Sequence, residues 1–125
     1  MGVGIKRKIR DWLDLMSVEG YTINDDLTVD VLENVYLDGK LSEFPDYVKF
    51  GRVDGYFSCE HNGMTSLAGC PEAVGGIFYC SFNKLVSLEG CPKTAGKGFY
   101  CWYNDKTFTI EDVRRFCKVT GPIKV

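Results

Sequence analysis

The sequence has little of the chemistry that enzymes use. General acid–base catalysis needs a positioned histidine or a perturbed carboxylate pair, and the chain contains a single histidine, His61. It also lacks a C-x-x-C pair, a P-loop, a dinucleotide-binding fingerprint and an H-E-x-x-H motif. Neither Cys101 nor Cys117 has an identifiable base that would make it a nucleophile. We therefore expect a non-enzymatic protein with no catalytic residues, no cofactor and no metal site.

Long apolar runs and a basic surplus are also missing. No apolar run reaches the roughly 18 residues that a membrane-spanning helix needs. Asp11 and Asp14 interrupt the stretch where a signal peptide would be apolar. These features predict a cytoplasmic protein with no membrane partner. The formal net charge of −2 gives no general electrostatic footprint for nucleic acid.

Six cysteines are present, and five of them follow one spacing. Cys59, Cys80 and Cys101 lie 21 residues apart, as do Cys70 and Cys91. Without a secretory signal, free thiols are the default state, and a buried free cysteine behaves as a small hydrophobic residue. We expect these cysteines to fill the core; disulfides or a metal site are the alternative.

The cysteine spacing belongs to a longer repeat. Residues 54–74, 75–95 and 96–116 align without gaps, and the first two blocks share the unit F-x-C-x-x-N-x-L-x-x-L-x-G-C-P with one conservative change. This unit fits the leucine-rich-repeat pattern L-x-L-x-x-N-x-L-x-x-L, with Phe and Cys in the first two leucine positions. A degenerate earlier copy is "VYLDGKLSEFP", in which Leu37 takes the cysteine position.

Each position of the unit has a physical explanation. The F-x-C segment alternates with period two, which predicts a short strand with Phe and Cys facing inward. The asparagine turns the chain, and its amide can satisfy backbone groups at the strand end. One coil cannot bury its own apolar face, but stacked coils can. The sequence therefore predicts an α+β fold: a short leucine-rich-repeat-like solenoid of three or four coils, with a parallel strand ladder and an internal asparagine ladder at Asn62, Asn83 and Asn104.

Both ends of the chain differ from the repeats, as the ends of a solenoid must. Apolar residues in the first segment recur on one helical face, which predicts an amphipathic N-terminal helix: Ile5, Ile9, Trp12, Leu13 and Met16. Near the other end, Thr109 followed by Glu111 and Asp112 predicts the start of a second helix. The expected organisation is one domain, 1–125, with an N-terminal helix (1–20), a lead-in strand and degenerate coil (21–53), repeat coils (54–105) and a helix–strand cap (106–125).

The repeat and its flanks resemble a known family. "GIFYCSFNKLVSLEGCPKTAG", "YTINDDLTVDV" and "FTIEDVRRFCKVTGPIKV" are similar to segments of the leucine-rich-repeat-like proteins of tailed bacteriophages. The resemblance covers roughly residues 20–125 and implies the solenoid fold and a phage origin. It implies no catalytic residue, because proteins of this family are mostly uncharacterised. A phage origin would place the protein in the cytoplasm of the host cell.

The outward positions of the ladder are the candidate site. They form three columns: Ser58, Tyr79 and Tyr100; Glu60, Ser81 and Trp102; His61, Phe82 and Tyr103. Five of these residues would make one aromatic surface: Tyr79, Phe82, Tyr100, Trp102 and Tyr103. Glu60 and His61 would lie beside it. Because Tyr and Trp dominate interface hot spots, we expect a protein-binding module. The resemblance to phage proteins implies that the module binds and modulates or inhibits a host protein, such as a defence component.

Three alternatives stay open. The rings could pack beneath the terminal caps and leave no exposed surface. The protein could be a virion or assembly component that self-associates, giving a homo-oligomer. It could also bind single-stranded nucleic acid, although such a surface wants a basic groove beside the rings, and only Lys84, Lys93 and Lys97 are candidates for it.

Overall fold

The computed structural model describes the backbone of residues 2–125 and the side chains of residues 4–125. Two helices, α1 (Gly2–Leu15) and α2 (Ile110–Phe116), flank two sheets. The first, the return sheet, contains β1 (Tyr21–Ile23), β2 (Thr28–Val31), β4 (Lys49–Val53), β6 (Ala73–Val74), β8 (Thr94–Ala95) and β10 (Lys118–Val119). The second, the ladder sheet, contains β3 (Val35–Tyr36), β5 (Phe57–Ser58), β7 (Ile77–Tyr79), β9 (Gly98–Tyr100) and β11 (Ile123–Lys124).

The two sheets are the two sides of a β-solenoid. Each coil gives one strand to each sheet, and neighbouring coils pair in parallel. Among the strands of residues 2–125, only β1 and β2, a hairpin before the first ladder strand, are antiparallel. In the ladder sheet Phe57 is opposite Phe78, which is opposite Phe99, so the 21-residue sequence period is the register of the coils. The predicted solenoid with a parallel strand ladder is confirmed.

The solenoid has about five coils, more than the three or four expected. The pairs β2–β3 and β10–β11 complete coils at the two ends. Val35 and Ile123 occupy the phenylalanine position there, because they pair with Phe57 and Phe99 respectively. These coils lack the Phe-Cys signature, so the repeat pattern alone undercounts them.

The return segments form strands where the sequence indicated only a connection. Close approach between coils explains their glycines. A Cβ atom added to Gly96 would lie 2.4 Å from the carbonyl oxygen of Gly75 in the preceding coil, much closer than any side chain tolerates. Glycine therefore lets the corners of successive coils stack at the spacing that the sheets impose.

Stacked phenylalanines and cysteines fill the core. Phe57, Phe78 and Phe99 are fully buried, with ring centroids 6.0 and 5.1 Å apart along the stack. All six cysteines are free thiols; five are buried and Cys91 is partly buried. Burial raises the pKa of the Cys91 thiol to about 12. The cysteines therefore act as the small core residues that the repeat predicts.

The asparagine ladder connects neighbouring coils. The Asn83 side-chain amide donates hydrogen bonds to the carbonyl oxygens of Cys59 (3.0 Å) and Cys80 (3.2 Å). Its Oδ1 accepts from the backbone N–H groups of Asn62 (3.1 Å) and Met64 (3.0 Å). Asn62 and Asn104 bond in the same way. The predicted structural role of these asparagines is confirmed.

Helix α1 covers the N-terminal end of the core. Ile9 and Leu13 are fully buried, as the helical pattern predicts. The Trp12 ring lies 6.1 Å from Phe44 and 6.4 Å from Phe50, centroid to centroid. The first coils are therefore closed by apolar contacts with the helix.

Helix α2 begins with a capping box, as predicted from its first residues. Thr109 Oγ1 accepts from the backbone N–H of Asp112 (3.1 Å), and an Asp112 carboxylate oxygen accepts from that of Thr109 (2.9 Å). The backbone hydrogen bond from Thr109 is the main reason why the pKa of Asp112 is lowered. Within residues 2–125, neither helix is long and apolar enough to span a bilayer.

Candidate functional site

The outer face of the ladder sheet carries a row of tyrosines. Because strand residues alternate sides, the residues opposite one another here are Tyr36, Ser58, Tyr79, Tyr100 and Lys124. The rings of Tyr79 and Tyr100 meet edge to face at 5.1 Å, and Tyr100 meets Trp102 at 6.2 Å. The register of the strands thus brings the predicted aromatic residues of successive coils together.

A second column lies in the turn after the strand and has an unusual backbone. His61, Phe82 and Tyr103 all have positive φ, at 58°, 57° and 54°. In the first coil Gly39, with φ 69°, has the same conformation two residues after the cysteine position. A left-handed backbone costs an L-residue roughly 1–2 kcal/mol, and glycine avoids that cost. Three bulky rings therefore occupy positions that favour glycine.

The three rings form a parallel stack. The His61 and Phe82 centroids are 4.4 Å apart with planes at 12°, and those of Phe82 and Tyr103 are 4.8 Å apart at 17°. Such pairs contribute about 0.5–1.5 kcal/mol each, which offsets part of the backbone cost. Tyr103 nevertheless stays 71% exposed and Phe82 38%.

Together these residues make one continuous aromatic surface: His61, Tyr79, Phe82, Tyr100, Trp102 and Tyr103. Trp102 joins the two columns, because its ring is 6.1 Å from that of Tyr103 and 6.2 Å from that of Tyr100. Trp102 is 39% exposed, so the terminal caps do not cover this end of the surface. The alternative in which the rings pack beneath the caps does not describe these side chains.

A polar ladder runs between the two aromatic columns. An Asp38 carboxylate oxygen accepts from the Glu60 backbone N–H (2.8 Å), Glu60 from that of Ser81 (2.9 Å), and the Ser81 hydroxyl from that of Trp102 (3.1 Å). Ser81 is fully buried and Ser58 nearly so. Both serines lie in the outward columns, but they are not exposed as expected, because each hydroxyl is held in the hydrogen-bond network and covered.

The aromatic surface borders two clefts. One, of about 320 Å³, lies at the C-terminal end and is lined in part by Trp102, Tyr103 and Phe108. The other, of about 310 Å³, is here called the tyrosine cleft; it is lined by Tyr36, Asp38, Tyr56, Ser58, Glu60 and Tyr79. The surface therefore has a recess at each end.

The tyrosine cleft contains residues that the repeat alignment did not single out. Tyr36 shares the ladder position of Tyr79 and could have been found by extending the register to the degenerate coil. Tyr56 precedes the aligned unit, and Asp38 belongs to a coil without the asparagine signature. Burial is the main cause that raises the pKa of Glu60, and the nearby Asp38 carboxylate adds to it.

Comparison with family models, curated proteins and solved structures finds no match to this chain. Within the described residues, no three or more histidine, cysteine, aspartate or glutamate side chains converge as a metal-binding group.

Proposed function

We propose that this protein is a non-enzymatic binding module that docks on another protein through the aromatic surface. The observation that carries the proposal is the exposed stack of His61, Phe82 and Tyr103 at left-handed backbone positions. Glycine would suit these positions better, so the demands of folding do not account for the rings. Strained backbone held in place by its surroundings is typical of functional sites.

The surface has the properties of an interface hot spot. Large, contiguous exposed apolar patches on soluble proteins mark interaction sites, and Tyr and Trp are enriched among hot-spot residues. The rings are mounted on hydrogen-bonded strands and turns and contact one another. Binding therefore costs little side-chain ordering, which favours affinity.

The resemblance to phage proteins makes a bacterial host protein, such as a defence component, the partner class to test first. A module without catalytic groups would modulate or inhibit that protein by covering its surface. Self-association is the second candidate, because the ring stack ends at Tyr103, whose outer face has no further ring on it in the described structure.

Affinity capture with matched variants tests the proposal. The test variant is Phe82→Gly/Tyr103→Gly, which removes two rings and leaves the residue that the backbone favours. The control is Leu32→Ala/Val86→Ala, which removes two exposed apolar side chains, 71% and 61% exposed, outside the surface. We expect bacterial lysate to yield a stoichiometric partner with the wild type and the control but not with the glycine variant.

The same variants separate the two candidates. Analytical ultracentrifugation of the purified wild type would show a dimer or larger species if the surface binds its own copy, and the glycine variant would be monomeric. If the glycine variant retains every partner and the wild-type association state, the aromatic surface is not the binding site.

A further inference from the structure

The tyrosine cleft combines aromatic walls with negative charge. Tyr56 and Tyr79 meet edge to face at 5.9 Å on one side, and Tyr36 lies across the cleft. Asp38 and Glu60 line the same cleft. Aromatic faces attract cations through the ring quadrupole, most strongly when the cation is desolvated. Both features favour a positively charged occupant.

The two carboxylates keep acceptor capacity for such an occupant. Asp38 Oδ1 accepts from the Ser58 hydroxyl and the Glu60 backbone, and Glu60 Oε2 accepts from the Ser81 backbone. These bonds use one oxygen of each carboxylate. Among the ion pairs in the described part of the chain, none involves Asp38 or Glu60. Burial is the main cause that raises the pKa of the half-buried Glu60 carboxylate, and the nearby Asp38 carboxylate adds to it.

A lysine beside the cleft, Lys40, is directed elsewhere. Lys40 Nζ lies 5.8 Å from the centroid of the Tyr36 ring and donates to the carbonyl oxygen of Met16 at the end of α1 (3.3 Å). This contact shows that the Tyr36 ring is oriented to accept a cation on one face. The lysine forms no ion pair with Asp38 or Glu60.

We propose that the tyrosine cleft receives an arginine side chain of the protein partner, with its guanidinium between the tyrosine rings and the free oxygens of Asp38 and Glu60. This inference rests on the proposed function, because it names the chemistry by which the docked partner is recognised. The cleft borders the aromatic surface at Tyr79, so one partner can contact both.

Arginine fits the cleft better than lysine. The guanidinium is planar, stacks on aromatic faces and offers five donors in a fixed fork, which suits two carboxylates at once. Lysine offers a compact, strongly hydrated point charge with no planar face. Arginine is also one of the three residue types most enriched at interface hot spots.

Nuclear magnetic resonance titration tests the cleft directly. The probe is N-acetyl-arginine amide, and the neutral control is the citrulline analogue, which has nearly the same shape and no charge. We expect the arginine probe to shift the ring resonances of Tyr36, Tyr56 and Tyr79 saturably, and the citrulline probe to leave them unchanged. N-acetyl-lysine amide should bind several-fold more weakly. Equal shifts with citrulline, or equal affinity for lysine, would overturn the proposal.

A conservative variant supplies the second test. Glu60→Gln removes the charge, while its amide oxygen can still accept from Ser81. We expect the affinity for the arginine probe to fall about tenfold, since a hydrogen bond to a charged group contributes more than one to a neutral group. The dispersion of the amide spectrum reports that the variant is folded. An unchanged affinity in a folded Glu60→Gln variant contradicts the proposal.

The variants also separate this inference from the proposed function. Phe82→Gly/Tyr103→Gly should lose the captured partner and keep the arginine probe. Glu60→Gln should weaken both the probe and the partner. If Glu60→Gln leaves partner binding unchanged, the arginine assignment fails and the aromatic surface stands. If only the Glu60→Gln variant loses the partner, the aromatic surface fails and the cleft stands.

Discussion

At the scale of single residues, two phenylalanines four positions apart differ in how much the stability of the fold depends on their side chains. Phe78 is fully buried between Phe57 and Phe99, whereas Phe82 is 38% exposed at positive φ. Truncating Phe78 removes core contacts and leaves a cavity. Replacing Phe82 by glycine loses a stacked ring but relieves the left-handed backbone. The same residue type therefore fills the core at one position and lies on the exposed surface at the other.

This contrast gives a quantitative prediction. Phe82→Gly should change the free energy of unfolding by less than about 1 kcal/mol, because stacking and backbone terms of similar size oppose each other. Phe78→Ala should cost about 3–5 kcal/mol, as core phenylalanine truncations do. Urea unfolding of both variants measures the difference. A Phe82→Gly loss as large as that of Phe78→Ala would mean that the ring stack is needed for folding.

The cysteines give a prediction on pH. Burial raises the pKa of Cys101 to about 12 and that of Cys117 to about 11, from 9.0. Because the folded-state pKa is the higher one, each thiol contributes stability that is complete below about pH 9. That contribution is lost as the pH rises through the folded pKa, since the unfolded chain is then stabilised by ionisation. We expect stability to fall as the pH rises from about 9 towards about 12, and to fall less in a Cys101→Ala variant.

Thiol chemistry provides an independent check. Folded protein should react slowly with Ellman's reagent at pH 8, because thiolate is the reactive form and these thiols are buried and neutral. All six thiols should react rapidly in denaturant. Rapid modification of the folded protein, or equal alkaline losses in the wild type and Cys101→Ala, would contradict the burial of these groups.

Residue roles could be predicted from the sequence where one position repeats in several coils. Asn83 and the core phenylalanines were found in this way, since identical letters at a 21-residue period imply identical environments. The burial of Ser81 could not be predicted, because its column also contains Asp38, Glu60 and the exposed Trp102. Nothing in that variable column indicates that its short polar members bond to the backbone of the next coil.

At the scale of elements, the formation of α2 depends on its local sequence, whereas the formation of the return sheet depends on the stacking of the coils. The residues of the capping box carry their own start signal, so the helix could be predicted from Thr109 onward. The two-residue strands β6 and β8 have no alternating pattern long enough to detect. They exist because the ladder sheet fixes the coil spacing and brings the return segments within hydrogen-bonding distance.

The capping box leads to a prediction for α2. Thr109→Ala should reduce the free energy of unfolding by about 1 kcal/mol, as losses of threonine N-caps do.

Asp112→Asn should also destabilise the helix start, because the lowered pKa of Asp112 shows that its charged form is favoured in the fold. That contribution is present above the unfolded-state pKa and is lost as the pH falls through the folded one. Urea unfolding at pH 7 and pH 3 measures it, with Glu111→Gln, exposed and one residue away, as the control.

At the scale of the whole molecule, the aromatic surface and the tyrosine cleft exist only because coils stack. No single coil contains two successive members of the His61, Phe82 and Tyr103 stack, and the cleft takes residues from three ladder strands. The sequence could predict the columns but not the cleft. The coil that supplies Tyr36 and Asp38 departs from the repeat by a deletion and lacks its phenylalanine and cysteine.

The two tryptophans allow the cooperativity of the stack to be measured from both ends. Trp12, on the buried face of α1, is 9% exposed, and Trp102 is 39% exposed in the C-terminal half. The buried residues form one continuous cluster from Ile9 to Val119. Coils in a solenoid contact only their neighbours, so long arrays can unfold in parts, but single domains of this size usually unfold in one step.

We expect the tryptophan fluorescence midpoint to equal the circular dichroism midpoint in both Trp12→Phe and Trp102→Phe. Both midpoints are measured on the same variant, so a loss of stability from the substitution shifts them equally and does not affect the comparison. If Trp102 reports an earlier transition than the circular dichroism signal of the Trp12→Phe variant, the C-terminal coils unfold separately. Partner binding would then have to stabilise the coils that carry most of the aromatic surface.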